Sequence, residues 1–215
     1  MQPARARSVL LVRRSPALVV QGFSPTVVNW PLQAANADSR PYFQSGNSKH
    51  MIVLEPITPR NLLAFQSIRL RALKTDPQAF GSTYEREAKF TFHDWVQRTD
   101  RWNGETGIGY LAMDGGSPCG IAGSLLDGED STRAQLVSMW TAPTHRQQGI
   151  GRLLVGEVER WAREHGARTL ILMVTSNNQS AITFYERLGF ARTGRVEPYP
   201  NDPGLEEYEM SLPLL

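Results

Sequence analysis

The chain has 215 residues, of which 40% are hydrophobic and 20% charged, enough apolar sequence for one core and without the signature of a collagen, a coiled coil or a disulfide scaffold. The single cysteine, Cys119, excludes an internal disulfide and any multi-cysteine metal site. His50, His93, His145 and His165 lack paired ligand spacing, so no metal is expected, and a lone free thiol suits a reducing, cytoplasmic setting. The net charge of +2 hides an asymmetry, because residues 1–50 hold six of the 23 basic residues and one of the 21 acidic ones. The remainder is mildly acidic and has no Lys/Arg stripe, which argues against nucleic-acid binding.

Residues 1–50 mix Arg, Pro, Ser, Asn and Gln with apolar runs too short and interrupted for a secretory or transmembrane segment, so no membrane association is expected. They read as a disordered N-terminal extension. Arg5, Arg7, Arg13 and Arg14, with no acid before Asp38, resemble a targeting presequence. The preferred reading is upstream sequence ahead of a natural start at Met51, with one domain over residues 51–215. From Met51 the expected elements are a strand at Ile52–Ile57 and a helix from Pro59 to Lys74, with Leu62, Leu63, Phe65, Ile68, Leu70 and Leu73 apolar, ended by Asp76-Pro77. A helical region over Thr83–Asp100 comes next. Strands Gly107–Met113 and Gly120–Leu126 follow, joined by Asp114-Gly115-Gly116, a hairpin signal. A strand Leu136–Thr141, a glycine turn, a helix to His165 capped by Gly166, a strand Thr169–Val174, a helix Gln179–Leu188 and paired strands Phe190–Val196 and Tyr208–Leu212 complete the chain. This order predicts an α/β fold with helices on the faces of a mixed sheet.

The stretch Arg146-Gln147-Gln148-Gly149-Ile150-Gly151 stands between a buried strand and an amphipathic helix. It places glycines in the first helical turn, where unpaired N–H groups and the positive end of the helix dipole favour an anion, and where missing Cβ atoms would let a pyrophosphate approach. Arg152-Leu153 in place of Lys-Ser/Thr excludes the P-loop. The out-of-register Gly156 and the Val174-Thr175 that follow exclude the dinucleotide fingerprint. A glycine pair at a helix start is also explained by close packing on a strand. A second element, Asn178-x-x-Ala181-x-x-Phe184-Tyr185-x-x-x-Gly189-Phe190, lies one strand further on.

Together the two motifs closely resemble the GCN5-related N-acetyltransferases (GNAT), over about Met51 to the C-terminus. The resemblance implies a mostly antiparallel central sheet of six to seven strands with a splayed central pair. It also implies acetyl-CoA as co-substrate and transfer of its acetyl group to a primary amine by direct attack in a ternary complex. The amides of Gln147, Gln148, Gly149, Ile150, Gly151 and Arg152 would cradle the pyrophosphate, with the Arg146 and Arg152 side chains on outer phosphates. The main chain of Met139, Trp140 and Thr141 would meet the pantetheine arm and thioester, together with Asn178 and Ala181. Asn178 equally suits a helix N-cap, and both roles are compatible.

Tyr185 is the candidate general acid for the departing thiolate; as a bare residue it would pass for a packed aromatic beside Phe184. For a general base, Glu85 ranks ahead of Glu87, Glu129, Asp130 and His145, because Phe80–Glu85 precedes the core where this family builds its acceptor wall; a water chain would also serve. Trp140, Trp161, Leu170, Ile171, Leu172 and Val174 read as core, and Cys119 has no partner to make it a nucleophile. The acceptor is a small-molecule or peptide amine, left unnamed. A homodimer is the expected assembly if the chain associates. The rival readings are a non-catalytic acyl-CoA-binding regulatory module and a transferase with another acyl donor or a hydroxyl acceptor.

Overall fold

The computed structural model describes residues 41–42 and 51–214. The expectation of disorder for residues 1–50 lies outside these, apart from Pro41–Tyr42, which pair antiparallel with Ile52 and Val53 as a two-residue strand, β1. Then come β2 (Ile52–Pro56), α1 (Leu62–Thr75), the one-turn α2 (Tyr84–Glu87), α3 (Phe92–Asp100), β3 (Gly107–Asp114), β4 (Ser117–Leu126) and β5 (Arg133–Thr141). The second half comprises α4 (Ile150–Glu164), β6 (Thr169–Thr175), α5 (Gln179–Arg187), β7 (Ala191–Pro198) and β8 (Glu206–Pro213). One sheet holds all eight strands in the order β1-β2-β3-β4-β5-β6-β8-β7. Every neighbouring pair is antiparallel except β5 and β6.

Local chemistry explains the boundaries. In α1 the buried positions Leu62, Phe65, Ile68, Arg69, Ala72 and Leu73 repeat at helical spacing, whereas Leu63, expected among the apolar face, points outward at 72% exposure. Thr83–Asp100 forms two helices, because Thr91 and Asp94 make a capping box that starts α3 afresh. Thr91 Oγ1 accepts the Asp94 N–H at 3.3 Å and Asp94 Oδ2 accepts the Thr91 N–H at 2.7 Å. In the β3–β4 hairpin Gly115 and Gly116 both take positive φ, 54° and 84°, as a two-residue turn that follows the strand twist requires.

Two apolar clusters cover the two faces of the sheet. One joins α4 and α5 to Ala134, Leu136, Leu170, Leu172 and Val174; the other joins α1 and α3 to Leu111, Ile121 and Trp140. Strict alternation along β5 would put Leu136 and Trp140 on the same face, yet they lie in opposite clusters. The cause is a β-bulge: Ile121 pairs with Trp140 and Gly123 with Val137, so Ser138 and Met139 together oppose Ala122, and Ser138 adopts φ 57°.

The bulge sits where the sheet opens. β5 and β6 pair only through Arg133–Thr169, Ala134–Leu170 and Gln135–Ile171. Beyond them β5 follows β4 up to Thr141 while β6 follows β8 up to Thr175, leaving a V between their C-terminal halves. Among the described residues no helix is long and apolar enough to cross a membrane.

Candidate active site

The V widens into a cleft of about 1290 Å³, and every residue expected at the cofactor lines it except Gln148, whose side chain turns back to donate to the Thr144 carbonyl at 3.1 Å. The helices around the cleft differ at their N-termini. Thr91 and Asn178 cap α3 and α5 with side-chain oxygens, but α4 has no side-chain cap and no acidic residue in its first turn. Its N-cap, Gly149, has φ 81°, and Gln147 has φ 63°. The first-turn amides of α4 have no intrahelical acceptor, and Gly149, Ile150, Gly151 and Arg152 line the cleft, an arrangement whose chemistry suits an anion.

The two glycines play different parts. A Cβ on Gly149 would meet open space, so that residue is selected by its positive φ. A Cβ on Gly151 would stand 3.0 Å from Phe184 Cζ and 3.1 Å from Met139 Cε, so the space the sequence suggested for a pyrophosphate is filled by side-chain packing. Arg146, expected on an outer phosphate, is held instead by Asp76 Oδ2 at 2.6 Å and the Thr141 carbonyl at 3.1 Å. Arg152 is exposed and has no ion pair among the described residues. Asn178 Oδ1 accepts the Ala181 N–H at 3.1 Å, the N-cap role. Trp140 buries its ring and donates Nε1–H to Asp76 Oδ2 at 2.6 Å.

Tyr185 packs edge-on against Phe190 and tilted against Phe184 at the cleft wall, 8% exposed. Burial raises its phenol well above the usual tyrosine range, so it stays protonated and able to donate. Cys119 is excluded as a nucleophile: burial pushes its thiol up to about 11, and its Sγ donates to the Ala112 carbonyl at 3.3 Å.

The other side of the V faces α1–α3. Gly123 and Gln135 belong to this face, since a Cβ on Gly123 would strike the Trp102 ring at 2.6 Å and Val137 and Gln135 follow it in register. Here the base candidates separate. Glu85 is exposed on α2 and does not line the cleft. Glu87 is fully buried and consumed: Arg69 binds both its oxygens at 3.1 and 2.8 Å, and Arg98 adds a contact at 3.4 Å. Burial alone would raise its pKa, but these partners outweigh it and hold the carboxyl below the ordinary glutamate value. Glu129 and Asp130 sit in the exposed turn before β5. His145 lines the cleft but pairs with Asp114 at 3.1 Å.

Glu207, which sequence reading missed, lines this cleft from β8 with its carboxyl raised by burial and by the charge of Glu197. It lies beside β6, opposite Thr175. Its place in an alternating strand was legible; the face that strand shows to the V was not.

A short segment bridges the open end of the V. Asp76 anchors it to Trp140 and Arg146, Gln78 O accepts from Thr175 Oγ1 at 3.2 Å, and Tyr199 Oη donates to Pro77 O and Phe80 O at 3.0 and 2.9 Å. The two splayed strands are thereby held at a set separation.

Comparison with known proteins places this geometry. Residues 69–190 match the model of the acetyltransferase (GNAT) family. Streptothricin acetyltransferase of Streptomyces lavendulae is 45% identical over 62 residues, 29% of this chain and 33% of that protein. N-acetyltransferase family 8 member 2 of Rattus norvegicus is 31% identical over 110 residues, 50% of this chain and 49% of that protein. The chain thus spans half or less of these curated relatives. An acetyltransferase of the GNAT family from Streptococcus pneumoniae superposes with TM-score 0.64 at 22% identity, over 76% of this chain and 99% of that one. The Salmonella typhimurium protein yncA, solved with its cofactor acetyl-CoA, gives TM-score 0.64 at 16% identity over 76% and 94%, a likeness of fold. With the family match spanning more than half of the chain, across the bulged β5, the uncapped α4 and the Tyr185 helix, the chain belongs to the GNAT acetyltransferase family.

Proposed function

We propose that this domain transfers the acetyl group of acetyl-CoA to a primary amine, with both substrates bound at once. The observation that carries the reading is the uncapped N-terminus of α4, opening into the same cleft as the unpaired edge of β5 and Tyr185. The residues fit that co-substrate. The first-turn amides and the exposed Arg152 favour phosphates, and the β5 edge from Leu136 to Thr141 offers main-chain groups that no strand takes.

The co-substrate supplies an activated acyl group and a thiolate leaving group. The chain supplies the proton traffic: Glu207 accepts a proton from the acceptor's ammonium, freeing the neutral amine that attacks the thioester carbonyl, and Tyr185 donates at its Oη to the departing sulfur. Glu207 replaces Glu85 as the base candidate because it lines the cleft and its raised pKa brings it nearer the working range of a base. With Cys119 buried and raised, no covalent relay through sulfur is invoked.

The test is twofold. Acetyl-CoA at a hundred times its Kd is expected to stabilise the folded protein by about 2.7 kcal/mol, and an amine panel is expected to release free thiol. The absence of any shift at saturation would refute donor binding; a shift without thiol release from any amine would favour the regulatory-module reading.

A further inference from the structure

The α1–α3 face of the cleft is unexpectedly basic. Beyond residue 50 the chain holds more acidic than basic residues, yet this wall presents Arg69, Arg86, Arg98 and Arg101. One carboxylate, Glu87, lies among them, and it is already bound in two-point fashion by Arg69 and touched by Arg98. Arg86 and Arg101 have no ion pair among the described residues, and both line the cleft. Their charges act on Arg98, which burial, together with Arg69, Arg101 and Arg86, lowers to about 10 against the opposing pull of Glu87; it remains a cation at neutral pH. An uncompensated cluster of like charges on a concave wall raises the free energy of the empty site and lowers that of a site holding an anion. The carboxylate of Glu207 lines the same cleft from β8. Arg152 and Arg187 also line the cleft, and of its two lining carboxylates Asp76 is held by Arg146, so Glu207 is the one without an ion pair among the described residues.

We infer that the acceptor is an amine that also carries an anionic group, foremost a carboxylate, bound by Arg86 and Arg101 while its ammonium faces Glu207. The inference rests on the transfer reading above and names the acceptor class for it. Arginine suits the task because its planar fork matches a carboxylate or phosphate at two points. A polyamine or a neutral amine would leave the arginines unmatched, and a cation would be repelled by them.

The test uses the full chain with saturating acetyl-CoA and thiol release as the readout. The panel is the standard amino acids, their carboxamides, phosphoethanolamine and spermidine. The best amino acid is expected to exceed its own amide at least ~10-fold in kcat/KM, the scale of one lost charged contact. Arg86→Ala and Arg101→Ala should each raise KM for that acid by a similar factor, with the KM for acetyl-CoA unchanged, and Arg101→Lys should recover part of the loss. Phosphoethanolamine outranking every amino acid would identify the anion as phosphate. Equal or better turnover of amides or spermidine would overturn the inference while leaving the transfer reading intact.

A second arm does not depend on turnover. The melting temperature of the CoA-saturated protein is measured with each compound. Stabilisation by the anionic members alone, lost in the Arg86→Ala/Arg101→Ala double variant, supports the anion site at Arg86 and Arg101 even if no thiol is released and the transfer reading fails. Stabilisation indifferent to the anion, or retained in the double variant, overturns it.

Discussion

Replacing Glu87 by Gln tests whether the basic wall is built on a buried ion pair. The side chain is 0% exposed and its partner Arg69 6%, with the pair closing α2 onto α1 and reaching the β5 bulge, where Arg69 Nη1 donates to Ser138 Oγ at 3.3 Å. Removing one member of such a pair leaves a desolvated guanidinium without its counter-charge, a loss of about 3–5 kcal/mol. For a domain of this size each kcal/mol lowers Tm by roughly 2–4 °C, so a fall of about 6–20 °C is expected. Urea unfolding monitored by far-UV circular dichroism supplies the free energy, with the exposed Glu85→Gln as a control expected to change it by less than ~0.5 kcal/mol. The pH dependence has a definite sign. The Glu87 carboxyl is held below its ordinary value of 4.5, so its contribution is complete above that pH and disappears as pH falls through the lowered value. The gap between wild type and variant should therefore narrow in acid. A loss under ~1 kcal/mol at neutral pH would refute the reasoning.

Tyr185→Phe is expected to reduce kcat by tenfold or more, within the ~10²–10⁴ range of positioned acids, while the melting shift induced by acetyl-CoA is retained. Because burial raises the phenol, the wild-type rate should show no alkaline decline from this group below about pH 10. Glu207→Gln should lower kcat/KM roughly 100-fold and abolish the acidic limb of the pH–rate profile. In the wild type that limb should lie above the ordinary glutamate range, since burial and Glu197 raise the carboxyl and the base must be unprotonated; an unchanged limb in the variant removes its role. Gly149→Ala meets no steric obstacle but must hold φ 81°, at about 1–2 kcal/mol, and is expected to weaken acetyl-CoA stabilisation along with the fold.

Much of the fold was legible because it is specified by short-range chemistry. Asp114-Gly115-Gly116 signals a hairpin by the φ it permits, Asn178 caps α5 through an oxygen three residues from its target, and α4 shows its apolar stripe directly. The split of Thr83–Asp100 was also written locally, in Thr91 and Asp94, though a helical period read over a longer window hides it. The loop at Arg146–Gly151 and the Asn178–Phe190 element were sufficient to carry the resemblance to the GNAT family, since both motifs are continuous in sequence.

The amino-acid sequence by itself determined the elements, the glycine turn that opens α4, and the family. Only the tertiary structure decided which side chains line the α1–α3 side of the cleft, because they come from elements far apart in the chain and depend on which face each strand turns to the V. A single bulge at Ser138 moves Trp140 to the opposite face from Leu136, and no periodicity along β5 announces it. Folding then removed Glu87 from candidacy by closing Arg69 onto it, drew Arg146 to Asp76, and brought Glu207 into the cleft. A side chain's charge is read from its code, but whether that charge is spent on a neighbour or left for a ligand depends on packing between distant segments.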